Sequence, residues 1–230
     1  MTNTHNALGS TSSTTRRITI ALAVLYAAFF VASLVVVPIL APDARIPNPF
    51  GADDASRTFF IHHTRAIQIS SFLQLASACC FAGLSAILAD LTRIRRVSNI
   101  ASSMIQTGGI GAAVLLAITA LFSWAIASPG AIDPGPSFHT FQFLPFLLGG
   151  PGWAGFFALF LAGVAMGAKG IVPGWLWGLG YFLSIVSALA ILVLTTIYAA
   201  PCLPIARFVG FLWLILVAIL LPGKITGETP

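Results

Sequence analysis

The sequence predicts an all-α membrane protein, a bundle of about six transmembrane helices with both termini cytoplasmic. Three observations carry this. Charged residues make up 7% of the chain and hydrophobic ones 58%, with a mean hydropathy of +0.98. A soluble domain carries about 25% charged residues, so the surface of this chain must be solvated mainly by lipid. Second, six apolar stretches are each long enough to cross a bilayer, which takes about 20 residues at a rise of about 1.5 Å each. Third, the basic residues collect in alternate connections, as the orientation of a polytopic protein requires. Alternation of the kind a strand shows is absent, and a lipid-embedded backbone must satisfy its own hydrogen bonds, so each stretch reads as a helix.

Residues 1–15 are rich in Ser, Thr and Asn and lack an apolar period; they are expected to form a disordered cytoplasmic tail. Residues 16–222 form the single six-helix domain and 223–230 a second cytoplasmic tail. The first span is Ile18–Ala41, preceded by Arg16 and Arg17. That apolar run exceeds the 7–15 residues of a signal-peptide core, and Pro42 follows it. It is therefore read as a retained span. The connection from Pro42 to about Phe60 is the longest in the chain and is expected to cap the outer end of the bundle.

The second span, Ala66–Ala89, is the least lipid-like. At 100° per residue, Gln68, Ser71, Gln74, Ala78, Ala82 and Ser85 share one arc. Glutamines in hydrocarbon are costly without hydrogen-bond partners, so the arc should face the bundle interior. There it either fixes the fold through interhelical bonds, with Gln106 and Thr107 as possible partners, or lines an outward-opening cavity. The third span, Ile100–Ala127, carries Gly108, Gly109 and Gly111. The fourth, Phe141–Ala168, contains Gly149, Gly150, Pro151 and Gly152, where a kink, a broken helix or a helix start at Pro151 is expected. Gly163 with Gly167, and Gly174 with Gly178 at the head of the fifth span, form small-xxx-small steps that suit close helix packing, here expected within the chain. The fifth and sixth spans are Trp175–Ala199 and Ile205–Pro222.

Placed on alternating spans, Arg16, Arg17, Arg93, Arg95, Arg96, Lys169 and Lys224 fall on one side, and Arg45, Arg57, Arg65 and Arg207 on the other. The first side is cytoplasmic by the positive-inside rule. The formal charge of +5 thus reflects topology and contact with anionic lipid; no nucleic-acid partner is expected. Partners beyond membrane lipids are a membrane protein or a second copy of the chain. Cys79 and Cys80 are neighbours in one helix and Cys202 lies in an outer connection, so no disulfide framework is expected.

Chemistry has few places to reside. No acidic residue lies well inside a span, and a P-loop, a G-x-S-x-G elbow, a zinc motif and a dinucleotide fingerprint are all missing. His63 opens the second span and His139 the fourth, at a shared outer depth. Two imidazoles on separate helices suit a haem or a divalent metal, although both also suit the headgroup zone; no cofactor is expected. Arg207, after Pro204, either anchors the sixth span at the outer interface or pairs with Asp133, the Asp53–Asp54 pair or an anionic headgroup.

The run Gly149-Gly150-Pro151-Gly152, with Pro204, Arg207-Phe208, Gly210-Phe211, Trp213-Leu214-Ile215 and Leu221-Pro222, resembles a group of bacterial multi-pass integral membrane proteins that has no assigned activity. The resemblance covers the last third of the chain. It implies a six-helix fold in a bacterial cytoplasmic membrane and no functional residue. The functional expectation is a non-enzymatic binding, accessory or small-transport module whose polar cavity, drawn from Gln68, Ser71, Gln74, His63 and Arg207, faces outward. The alternative is a membrane redox protein or enzyme holding haem or metal on His63 and His139.

Overall fold

The computed structural model describes the backbone of residues 3–42, 53–94, 98–128 and 137–225, and within these the side chains of 13–42, 58–94, 98–128, 141 and 143–221. Helices account for nearly all of it, and no strand occurs among the described residues. The elements are α1 (Asn3–Leu40), α2 (Asp53–His62), α3 (Thr64–Ile94), α4 (Asn99–Ile126), α5 (Ser137–Leu147), α6 (Trp153–Ala168), α7 (Gly174–Leu189), a short α8 (Cys202–Pro204) and α9 (Gly210–Ile225). A π-helical turn, Leu148–Gly152, joins α5 to α6, and a second, Ile205–Val209, joins α8 to α9. Six helical runs among the described residues are long and apolar enough to cross a membrane: Ser13–Leu40, Thr64–Ile94, Asn99–Ile126, Phe143–Ala168, Gly174–Leu194 and Ile197–Leu221. These match the six spans expected from the sequence. The chain has the architecture of an integral, multi-pass membrane protein.

Helical backbone in α1 begins at Asn3, reaching into the Ser- and Thr-rich stretch that composition reads as unstructured. Within the long connection after α1, α2 lays Phe59 against Ile67 of α3, Ala127 and the edge of Val37, a small apolar cluster apart from the main core.

The spans pack in chain order, α1 on α3, α3 on α4, α4 on α6 and α6 on α7, and α9 closes the ring against α1 and α7. Large apolar side chains such as Phe72, Leu121, Phe182, Ile185 and Leu212 point outward, as lipid-facing residues should. The centre is aromatic. Phe81 touches Tyr26, Phe157 and Phe160, and Trp153 stacks on Phe157 at 4.4 Å between ring centroids. Trp124, Trp175 and Tyr198 are exposed near span ends, where amphipathic rings favour the membrane interface.

Lipid offers no hydrophobic drive between helices, so close approach and interhelical hydrogen bonds must hold the ring. Small hydroxyls supply the bonds. Ser70 and Ser77 of α3 donate to the carbonyls of Ser33 and Tyr26 in α1, and Ser102 of α4 donates to Ala89 of α3. Ser184 and Ser187 of α7 donate to Ala158 and Ala154 of α6, and the Trp213 indole of α9 donates to Leu176 of α7 at 2.7 Å. Glycines supply the close approach. Gly163 of α6 rests on the backbone of Ala101 and Ile105 in α4, and Gly167 on Thr92 of α3. That step packs within the chain, as expected; Gly178 has nothing within 4 Å of a Cβ built on it. The three cysteines are free.

Candidate functional site

The arc expected on the second span is largely the buried face of α3. Ser71, Ala78 and Ser85 are buried, and Gln68, Gln74 and Ala82 are half-buried at its margin. Of the five polar candidates, two share one hollow and a third lines another. Ser71 and Gln74 line a concavity of about 190 Å³, together with Ser33 of α1, Ser70 and Ser123, and it is roofed by Phe59 and Phe60 of α2. This concavity lies where α1 ends and α3 begins, the α2 end of the bundle. Ser33 and Ser70 spend their hydroxyls on backbone carbonyls. Gln74 has no hydrogen-bond partner among the described residues, so its amide is a group left, with the hydroxyls of Ser71 and Ser123, to meet an occupant or water.

His63 lines a separate hollow of about 240 Å³ with His62, Arg65 and Leu40. There the His62 Nδ1 lies 2.8 Å from the Thr58 carbonyl, and the His63 ring packs on Phe59. The side chains of His139, Asp53, Asp54 and Asp133 fall outside the described residues, so the His63–His139 pairing and the acidic partners considered for Arg207 do too. Gln68 lines neither hollow. Gln106, considered as a partner for the α3 glutamines, instead accepts from Arg93 Nη2 at 3.3 Å at the opposite end of the bundle. Its position nearer that end puts it in reach of a basic helix terminus and out of reach of Gln68 and Gln74.

Arg207, read from the sequence either as an interface anchor or as part of a polar interior, takes an inward course. Its side chain turns into the ring of helices instead of anchoring at the interface. The guanidinium carbon lies 4.1 Å from the centroid of Trp153 and 4.6 Å from that of Phe30, so the charge sits against two aromatic faces. Such contacts are worth about 0.5–2 kcal/mol each, more when desolvated. Its Nη2 donates to the carbonyl of Gly149. Both partners in that bond stand on π turns, one from each helix. Single π turns inside α-helices are frequent at functional sites.

The run at Gly149–Gly152 is therefore neither a break nor a helix start. The widened turn carries Pro151, which has no N–H to give, through an unbroken helix. Phe30, Trp153 and Arg207 each lie ten positions in from the same end of their spans, at Leu40, Phe143 and Ile197 respectively. At about 1.5 Å per residue of helix this puts Phe30 and Trp153 near the middle of the hydrocarbon, and Arg207 packs against both.

Three polar atoms at this place lack a partner: Arg207 Nε, Trp153 Nε1 and the Tyr26 hydroxyl, each sealed from the surface. Tyr26 and Trp153 are 1% and 0% exposed, and Tyr26 meets the ring of Phe211, which also meets Phe30 beneath the Arg207 guanidinium. An unmet buried polar group costs about 1–3 kcal/mol. Asp90, the single carboxylate among the described side chains, is exposed at the opposite end. The sequence carried a signal for this site in the rarity of charge within spans, but nothing in it told which way the side chain would turn. Comparison of the chain with protein-family models, with curated proteins and with solved structures returns no match.

Proposed function

We propose that the protein is a non-enzymatic binding, accessory or small-transport module of the cytoplasmic membrane, working through the serine- and glutamine-lined concavity at its α2 end. One observation carries the reading: Gln74, an amide ten positions into the span that α3 forms, lines the hollow and has no hydrogen-bond partner among the described residues. A free amide in hydrocarbon is unfavourable, so the hollow, walled otherwise by Leu34, Val37, Phe59, Phe60 and Ile67, is a place for water or a small solute with one polar end. Its size suits a ligand of a few heavy atoms. With both termini cytoplasmic, the α2 end faces outward, and solute enters from that side beneath α2.

The test is thiol accessibility in a variant whose three native cysteines are replaced by alanine. A cysteine at Ser71 or Ser123 is expected to react with a membrane-impermeant, water-soluble thiol reagent added outside intact cells. A cysteine at Phe72, which faces lipid, is expected not to react. If neither lining position is modified, the hollow is closed to water and this reading fails.

A further inference from the structure

We propose that Tyr26, Trp153 and Arg207 form a receptor in mid-membrane for a single carboxylate, carried by a small organic acid or a fatty acid. Arg207 Nε, Trp153 Nε1 and the Tyr26 hydroxyl are buried with no partner, on the π turn leading into α9, on α6 and on α1 respectively. An arginine and an indole only donate hydrogen bonds, and a phenol donates readily. None of the three has found a partner, and one external acceptor is the single kind of group that would suit them all. The charge of Arg207 meets no carboxylate among the described residues, and the aromatic faces of Phe30 and Trp153 hold it without neutralising it.

A monovalent acceptor would complete the site. Phosphate, carrying about −1.5 to −2 near neutral pH, would leave excess charge in a low dielectric, whereas a carboxylate balances one guanidinium. Two oxygens offer about four lone-pair sites, enough for three donors from different directions. The Gly149 carbonyl occupies Nη2, which orients the guanidinium and leaves Nε to the ligand. This site is separate from the α2-end concavity and does not depend on it.

Full-length protein in a non-ionic detergent is titrated with benzoate, with benzyl alcohol and sodium chloride as controls, and its thermal unfolding is followed. A second arm uses phosphatidylcholine nanodiscs containing oleic acid or oleyl alcohol. Saturable stabilisation by an acid, absent with its alcohol and with chloride, is expected. A response to benzoate alone marks a water-borne ligand, and one to oleate alone a ligand from the bilayer; either supports the receptor. Tyr26→Phe keeps the ring packing and removes one donor, and is expected to weaken binding about tenfold. Trp153→Phe should behave alike, and Arg207→Gln should abolish the response. If Arg207→Gln does not fold, the other two variants decide. No stabilisation by either acid, an equal effect of chloride, or unaltered affinity in both Tyr26→Phe and Trp153→Phe overturns the proposal.

Discussion

Arg207 shows how much of a membrane protein's character rests on the direction of one side chain. A guanidinium between two rings is held by its planar shape as well as by charge. Lysine cannot reproduce this, because an ammonium is compact, strongly hydrated and unable to lie flat on an indole. Arg207→Lys is expected to lower stability by about 1–3 kcal/mol, since it loses the stacking and the geometry of the Gly149 bond. Unfolding in detergent, followed by loss of helical circular dichroism with rising SDS, measures this. An unchanged midpoint would mean that the rings do not hold the charge. Chain position alone could not have placed the guanidinium, since Arg207 follows Pro204 where an interfacial anchor is ordinary. A neighbouring π turn shifts the azimuth of every later residue. Ser71, Ala78 and Ser85 were legible for the opposite reason: α3 is unbroken, so 100° per residue carries their phase correctly from one end to the other.

At the scale of the helix, two kinds of glycine that look alike in sequence have opposite consequences. A Cβ on Gly108 would stand 2.4 Å from the Phe160 backbone nitrogen and 2.7 Å from the Phe156 carbonyl. Backbone cannot rotate away, so α4 and α6 would have to separate. Gly178 lies in helix with nothing near its Cβ position. Gly108→Ala is expected to destabilise the protein by more than about 2 kcal/mol, in the range of overpacked cores. Gly178→Ala should be neutral or stabilise by up to about 1 kcal/mol, from helix propensity alone. Parallel thermal unfolding of the two variants checks both, and similar midpoints would contradict the α4–α6 contact.

The hydroxyl bonds can be tested in the same way. Ser187, fully buried, donates to Ala154 at 2.9 Å, and Ser187→Ala should cost about 0.6 kcal/mol, up to about 1.7. Spacing showed that glycines recur at helix-packing intervals, and for Gly163 the contact is there. It could not separate Gly163 from Gly178, because only the neighbouring helix distinguishes them. The Gly-Gly-Pro-Gly run was legible as an irregularity, while the bond its π turn accepts comes from Arg207, fifty-eight positions away, which no local spacing shows.

For the whole molecule, an orientation with both ends cytoplasmic is a prediction that rests on an even number of candidate spans and on where the cations stop. The six candidate spans among the described residues would put both ends on one side of the membrane. On sequence alone the basic residues divide seven to four. With Arg207 inside the ring it no longer belongs to an outer connection, leaving Arg45, Arg57 and Arg65 against Arg16, Arg17, Arg93, Arg95, Arg96, Lys169 and Lys224. The positive-inside rule counts Lys and Arg close to span ends in short connections, and Arg93 and Lys169 stand at the ends of α3 and α6. Reporters fused ahead of Met1 and after Pro230 are therefore both expected in the cytoplasm, with fluorescent protein bright and alkaline phosphatase inactive at either end. A reporter inserted in the 43–52 connection should give the reverse. Neutralising Arg93, Arg95 and Arg96 together should leave a mixed population, because it removes three of the seven retaining charges. Active phosphatase at the carboxyl terminus of the unaltered chain would turn the bundle over. The α2-end concavity would then open to the cytosol, whereas the mid-membrane position of Tyr26, Trp153 and Arg207 would be unaffected.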